Sequence, residues 1–160
     1  MRDATPDDAA LIARLLIQAK EESIPELIDN HDRDFDFWSE RWRKYLAEGS
    51  TAQQALRDGF AILALINDQP VGFAGYHHTR RHNCDAELES IYVLLEYQRC
   101  GAGTKLFAEV MRRLRADGAT SVCVGYAPQN PYKQFYLKHG AVEIDPHWAV
   151  WRTLPAVGRA

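Results

Sequence analysis

Residues Gln98-Arg99-Cys100-Gly101-Ala102-Gly103 follow an apolar β-type run, Ile91-Tyr92-Val93-Leu94-Leu95, and precede apolar residues at helical spacing. A strand, a glycine turn and a helix in that order can trap an anion. The first turn of a helix carries N–H groups without internal partners and a partial positive charge. Gly101 and Gly103 lack a Cβ, so a phosphate could rest directly on the main chain there. A Walker A loop would need Lys followed by Ser or Thr, but Thr104 precedes Lys105. A dinucleotide fingerprint would need a third small residue where Leu106 stands.

Other reactive side chains are less ordered in sequence. Cys84, Cys100 and Cys123 show no metal-type spacing and are odd in number, so they read as reduced thiols. The segment His77 to Asp85 holds His77, His78, Arg80, Arg81 and His82. Only Cys84 or Asp85 would complete a metal set in it, and it reads as a solvated basic loop with no metal. Glu87 and Glu89 alternate along the next strand and, on a regular strand, share a face with Ile91 and Val93.

The elements that must position these groups can be read in order. Met1 to Ala4 suggests a short strand, and Thr5-Pro6-Asp7-Asp8 is a helix start with a hydroxyl cap, an early proline and carboxylates in the first turn. Leu11, Ile12, Leu15, Leu16 and Ala19 form one apolar face, and Pro25 interrupts before a second helical region. There Phe35, Trp38, Trp42 and Tyr45 recur at helical spacing, beside Asp29, Asp32, Asp34 and Asp36. Residues 60–66 and 71–76 read as a hairpin, 86–94 as a strand, Leu106 to Leu114 as a helix ended by Gly118, and 121–126 as a strand. A short helix over 132–138 and strands over 142–144 and 147–154 close the chain.

The 160 residues fit one domain over 1–160, and 46% apolar with 26% charged residues is ordinary for a soluble protein. No run approaches a membrane span and no signal-peptide order opens the chain, which points to the cytoplasm. The formal charge of −3 gives no general attraction to nucleic acid. Residues 1–50 hold 12 acidic and 7 basic side chains, so the acidic half and the phosphate-trapping half are different parts of the chain.

The glycine turn with its preceding Tyr-Val resembles the acetyl-CoA-binding motif of the GNAT (GCN5-related N-acetyltransferase) family. A later stretch, Asn130-Pro131-Tyr132-Lys133-Gln134-Phe135-Tyr136-Leu137-Lys138-His139-Gly140, is similar to that family's second motif, in which Asn opens a helix and Phe-Tyr precedes Gly. Departures are Leu95 where proline is common, Cys100 where Gly or Lys is common, and Lys133 where a small residue is usual. The resemblance spans the whole chain. It implies an α/β fold with a mostly antiparallel twisted sheet of six to seven strands and about four helices.

It also implies acetyl transfer from acetyl-CoA to a primary amine by direct attack in a ternary complex. The residues it marks for the cofactor are Tyr92, Val93, Gln98, Arg99, Cys100, Gly101, Ala102, Gly103, Thr104 and Asn130. The main chain of 99–104 would hold the diphosphate, and the Val93 N–H would polarise the thioester carbonyl. Tyr136 matches a general acid, against a packing role beside Phe135. Glu87 matches a catalytic glutamate, with Glu89 the alternative, against a surface salt bridge to Arg80 and Arg81. An amine with a solution pKa of about 10.4 must lose a proton before it attacks. The acidic region near residue 30 suggests a small cationic acceptor, a polyamine or amino sugar. A protein or peptide amine and a non-catalytic CoA-binding module are the alternatives. Trp148 and Trp151 suggest a homodimer through the final strand.

Overall fold

The computed structural model describes residues 1–156. Its strands are β1 (Arg2–Asp3), β2 (Phe60–Ile66), β3 (Gln69–His78), β4 (Ala86–Val93), β5 (Val122–Gly125), β6 (Val142–Asp145) and β7 (Trp148–Trp151). The helices are α1 (Ala9–Ser23), α2 (Phe35–Glu48), α3 (Ala102–Ala116) and α4 (Lys133–Lys138). All seven strands form one sheet in the order β1-β2-β3-β4-β5-β7-β6. Every neighbouring pair is antiparallel except β4 and β5.

Local chemistry sets the element ends. Thr5 and Asp8 form a capping box around a single 3-10 turn, Pro6–Asp8, that leads into α1. Asp34 caps α2 by accepting from Phe37 N at 2.9 Å. Asn67 and Asp68 both take positive φ, so β2 and β3 join through a two-residue turn and β3 begins two residues earlier than the apolar pattern suggests.

The two faces of the sheet carry separate apolar layers. Ile12, Leu15, Leu16, Trp42, Leu63 and Phe73 pack α1 and α2 on one face. Leu106, Phe107, Val110, Met111 and Leu114 pack α3 on the other, against Leu88, Val93, Val122 and Val124. Of the four aromatics at helical spacing on α2, Trp42 and Tyr45 are buried, whereas Phe35 stays exposed and Trp38 half-buried.

Three sequence expectations change. His77 and His78 belong to β3 and His77 is fully buried, so the basic loop is shorter than 77–85. The residues that follow His78 are held by Thr79 and Arg80 bonding to Asp85 and Gln54. The second correction concerns β4. The β3–β4 register shifts between Gly75 and Tyr76, so the β4 pairs run Ser90↔Gly75 and then Leu88↔Tyr76, leaving Glu89 as an extra residue. This bulge breaks the alternation. Ala86, Leu88, Ile91 and Val93 pack on the α3 side. Glu87 and Glu89 therefore share the opposite face with Tyr92 and Leu94, not with Ile91 and Val93.

The third correction is the expected dimer surface. β7 lies inside the sheet between β5 and β6, and Trp151 is buried against Phe107 and Tyr136. The edge on that side of the sheet is β6, with Val142 65% and Ile144 42% exposed. No helix among the described residues is long and apolar enough to cross a membrane.

Candidate active site

Where β4 and β5 part, the sheet opens. Their parallel pairing covers Ala86↔Val122, Glu87↔Cys123 and Leu88↔Val124 and then stops, although β4 continues to Val93. β5 instead stays with β7 as far as Gly125↔Trp148. At the top of β4, Leu94 N donates to Val71 O of β3 at 2.9 Å. Successive strand amides point to opposite edges, so the N–H of Val93 faces the opening. The Val93 carbonyl on that edge accepts from Gln98 Nε2 at 3.0 Å.

The glycine turn stands at the end of this opening. A 3-10 turn, Leu95–Tyr97, leads through Arg99, at φ +61°, to Gly101, at φ +88°, the residue that starts α3. The first helical bond runs from Lys105 N to Gly101 O at 2.9 Å. The amides of Ala102, Gly103 and Thr104 therefore have no helical partner and lie in the positive end of a four-turn helix. A Cβ at Gly101 would meet nothing within 4 Å, so the space in front of the turn is open. Arg99, Cys100 and Thr104 are exposed, and the Cys100 thiol turns back toward Tyr97 O.

Neighbouring elements fix the turn. Gln98 Nε2 also reaches Ser23 Oγ at 2.9 Å, and Glu22 accepts from Leu95 N at 3.0 Å, so the end of α1 anchors the loop. Tyr132 Oη donates to Gln98 Oε1 at 3.2 Å, and Phe135 lies 3.7 Å from where a Gly103 Cβ would stand. The two sequence motifs thus meet in space. The Gln98 side chain is occupied by protein partners, and Asn130 Oδ1 accepts from Tyr132 N at 2.9 Å in a turn before α4. Lys133 points away, to Glu143 at 3.1 Å and over the Tyr126 ring.

Tyr136 of α4 packs among Tyr126, Phe135 and Trp151. Its ring stacks on Tyr126, centroids 6.1 Å apart at 10°, and meets Trp151 edge-on at 6.2 Å. Burial, then the nearby Tyr92 and Tyr126, push its hydroxyl well above the ordinary tyrosine range. It therefore holds its proton at any physiological pH. Tyr92, on the β4 side, is likewise pushed up to about 12 by burial and by Asp32 and Glu89.

The carboxylates lie on the α1–α2 face. Glu87 is 5% exposed and pairs with Arg81 at 3.4 Å. Glu89, at the bulge, bonds Arg41 of α2 at 2.8 Å and keeps 15% of its side chain accessible. Cross-strand register brings buried His77 opposite Glu87, so the histidine missing a partner in sequence finds one across the ladder. One nitrogen of His77 and one oxygen from each of Glu87 and Glu89 lie within 4.8 Å of one another. That set has metal-ligand types, but the guanidinium groups of Arg41 and Arg81 already supply positive charge to both carboxylates.

A cavity of ≈ 420 Å³ lies on this face, lined by Gln53, Gln54, Arg81, His82 and Trp148. The Trp148 ring covers Gly125, whose Cβ would meet it at 3.0 Å. His82 packs on the same ring at 4.6 Å and the Arg81 guanidinium lies 4.8 Å over it. Sequence reasoning missed this cavity, because residues 53–54, 81–82 and 148 converge only through the fold.

Of the acidic group around the start of α2, Asp32 is held by Lys20 at 2.7 Å, Asp29 accepts from Asp32 N at 3.0 Å and Asp34 is the helix cap. These three therefore serve the scaffold, which leaves Asp36 of that group.

The chain is similar to known proteins. The family model of the acetyltransferase (GNAT) family matches residues 11–141. The chain is 25% identical over 150 residues to the uncharacterized N-acetyltransferase YuaI of Bacillus subtilis (strain 168), covering 90% of this chain and 80% of that protein. The crystal structure of the PaiA N-acetyltransferase of Thermoplasma acidophilum in complex with coenzyme A superposes with a TM-score of 0.68. It has 15% identity and covers 94% of this chain and 97% of that one. An aminoglycoside 6'-acetyltransferase type Ii gives 0.65 at 18% identity, over 100% of both chains. With a sheet opened between β4 and β5, a bare helix start at its end and a family match over most of its length, the chain belongs to the GNAT acetyltransferase family and is an acetyl-CoA-dependent acyltransferase.

Proposed function

We propose that the chain, acting as one domain over residues 1–160, transfers acetyl from acetyl-CoA to the primary amine of a small cationic acceptor by direct attack in a ternary complex. The observation that carries this reading is the end of β4–β5 pairing at Leu88↔Val124, with unpartnered amides of α3 beyond it. The diphosphate rests on the main chain of 99–104, and the pantetheine arm takes the strand position vacated beside residues 89–93. The residues present fit that group: a phosphate meets the positive helix end, and the arm meets free strand amides.

Each remaining step falls to a named group. The Val93 N–H faces the opening and stabilises the oxyanion as the amine nitrogen bonds to the acyl carbon. Tyr136, which keeps its proton, gives it to the departing thiolate and regains one from the acylated nitrogen, directly or through water, as the amide forms. The ammonium proton goes to the carboxylate pair, Glu87 or Glu89, directly or through water. Glu89 is the more accessible of the two and sits at the bulge where the opening starts. Asn130 supports the approach of α4, and Gln98 holds the Val93 carbonyl in line.

The carboxylate pair suits an ammonium, and the Trp148 face with the Gln53 and Gln54 amides suits a polar ring, which supports an amino-sugar or polyamine acceptor over a peptide. The chain acts in the cytoplasm. The exposed β6 edge, rather than β7, is the surface for a homodimer, and light scattering reads it.

A steady-state assay of CoA release against a panel of polyamines, amino sugars, peptides and lysine amines tests the proposal. Turnover with the small amines is the expected result. Turnover with peptides alone would replace the acceptor class, and CoA binding without turnover on any amine would leave only a binding module.

A further inference from the structure

His77 is the one fully buried histidine, and the transfer steps above do not use it. Its Nδ1 lies 3.1 Å from Tyr45 Oη and 3.7 Å from Glu89 Oε2, and its Nε2 lies 3.4 Å from Glu87 Oε2. Neither His77 Nε2 nor Glu87 Oε2 has a hydrogen-bond partner among the described residues, so each is the group the other faces. Burying two such atoms unpaired is costly, which makes their juxtaposition informative.

Proton placement follows from the surroundings. A carboxylate only accepts, so a bare Nε2 facing Glu87 would set lone pair against lone pair. Nε2 therefore carries the hydrogen. In the neutral ring Nδ1 is then bare and accepts from Tyr45. Burial holds that hydroxyl protonated, with Glu89, Glu87 and Asp58 adding to the effect. The charged groups facing the ring are Glu87 and Glu89 from β4, with Arg81 and Arg41 behind them, and Tyr45 comes from α2.

We infer that His77 joins Glu87 and Glu89 into one proton-accepting unit, so that the two carboxylates act together and not as alternatives. This rests on the acetyl-transfer reading above and adds a positioning residue to it. The amine's proton passes to the Glu89 carboxylate, then from the carboxylic acid to Nδ1 of His77 as the Tyr45 hydroxyl turns its hydrogen away, which restores the carboxylate. The resulting imidazolium lies between two carboxylates, its Nε2–H directed at Glu87. No oxidation or other reactant is involved, and the proton leaves to solvent by the reverse route through the accessible Glu89.

Nitrogen-15 NMR of the full-length protein labelled at histidine reads the arrangement without any acceptor. At pH 7.5 the expected signature is the neutral Nε2–H tautomer, and Glu87→Gln, whose amide can donate as well as accept, converts it to a mixture. An Nδ1–H tautomer in the native protein, or no change in Glu87→Gln, would overturn the inference. Kinetics with the fastest amine of the panel supply the second readout. His77→Gln, which keeps polar bonding and is checked for native thermal unfolding, lowers kcat about 10- to 100-fold. It also moves the acid limb of kcat/KM to lower pH, since the proton is then taken by a carboxylate alone and no longer by an imidazole. In the Glu89→Gln background the same change costs less than about twofold, because residues acting as a unit are not additive. Additive losses sink the coupling alone, whereas full turnover in both Glu87→Gln and Glu89→Gln sinks the base assignment and leaves the NMR result standing.

Discussion

Tyr136 shows how packing and chemistry coincide at one residue. Its ring is fixed by Tyr126, Phe135 and Trp151, and the same burial that fixes it keeps the hydroxyl protonated. The structure shows the packing reading of the sequence, and the acid role proposed for Tyr136 needs the proton that burial retains. Tyr136→Phe keeps the ring contacts and is expected to lower kcat about 100-fold with the KM for acetyl-CoA changed less than about twofold. An unchanged kcat removes Tyr136 from the mechanism. Asp8 offers a prediction about stability. Arg2 binds it with two short bonds, 2.7 and 2.8 Å, and holds its carboxyl at about 2, below the ordinary 3.8. A depressed folded value stabilises above the unfolded value and is lost as pH falls through the folded one. Asp8→Asn therefore weakens the fold by about 1 kcal/mol at pH 7, and urea unfolding should show that difference fading between about pH 4 and pH 2.

At the scale of elements, the bulge decides more than any single side chain. Without the extra residue at Glu89, both glutamates would point at the α3 layer, and the apolar Leu88 would face α2. A two-residue period cannot announce its own interruption, so the sequence placed the carboxylates on the wrong face. It did identify the strand, the glycine turn, α3 and α4, because those depend on local turn and cap chemistry. His77 was misread for a related reason: its partners lie on the neighbouring strand, ten or more residues away. The close approach at Gly72 tests the strand geometry. A Cβ there would fall 2.5 Å from Tyr92 O and 3.1 Å from the Val93 Cα. Gly72→Ala should destabilise by about 1–3 kcal/mol and weaken CoA binding as β4 shifts. Calorimetry that finds native affinity despite lowered stability would separate the two effects. By contrast, Gly101→Ala meets no atom and costs only the strain of a left-handed backbone, about 1–2 kcal/mol.

At the scale of the molecule, two apolar layers grip one sheet from opposite faces, and the sheet is continuous only below Leu88 and Val124. Ligand and fold stability are therefore linked. At about 100 times its Kd, CoA should add about 2.7 kcal/mol, raising Tm by about 5–10 °C for a chain of this length. A scan in which CoA leaves Tm unchanged would argue against the proposed site. The ~420 Å³ cavity and the β6 edge belong to this scale too, since residues far apart in sequence compose them. The gap beside β4 has a kinetic consequence. A donor that lies there serves as an eighth strand as well as a reagent, bridging the left and right portions of the sheet. The wall against which an acceptor docks is then finished only after the donor has entered. Arrival should be ordered, donor first, and the spent thiol should be the last to leave.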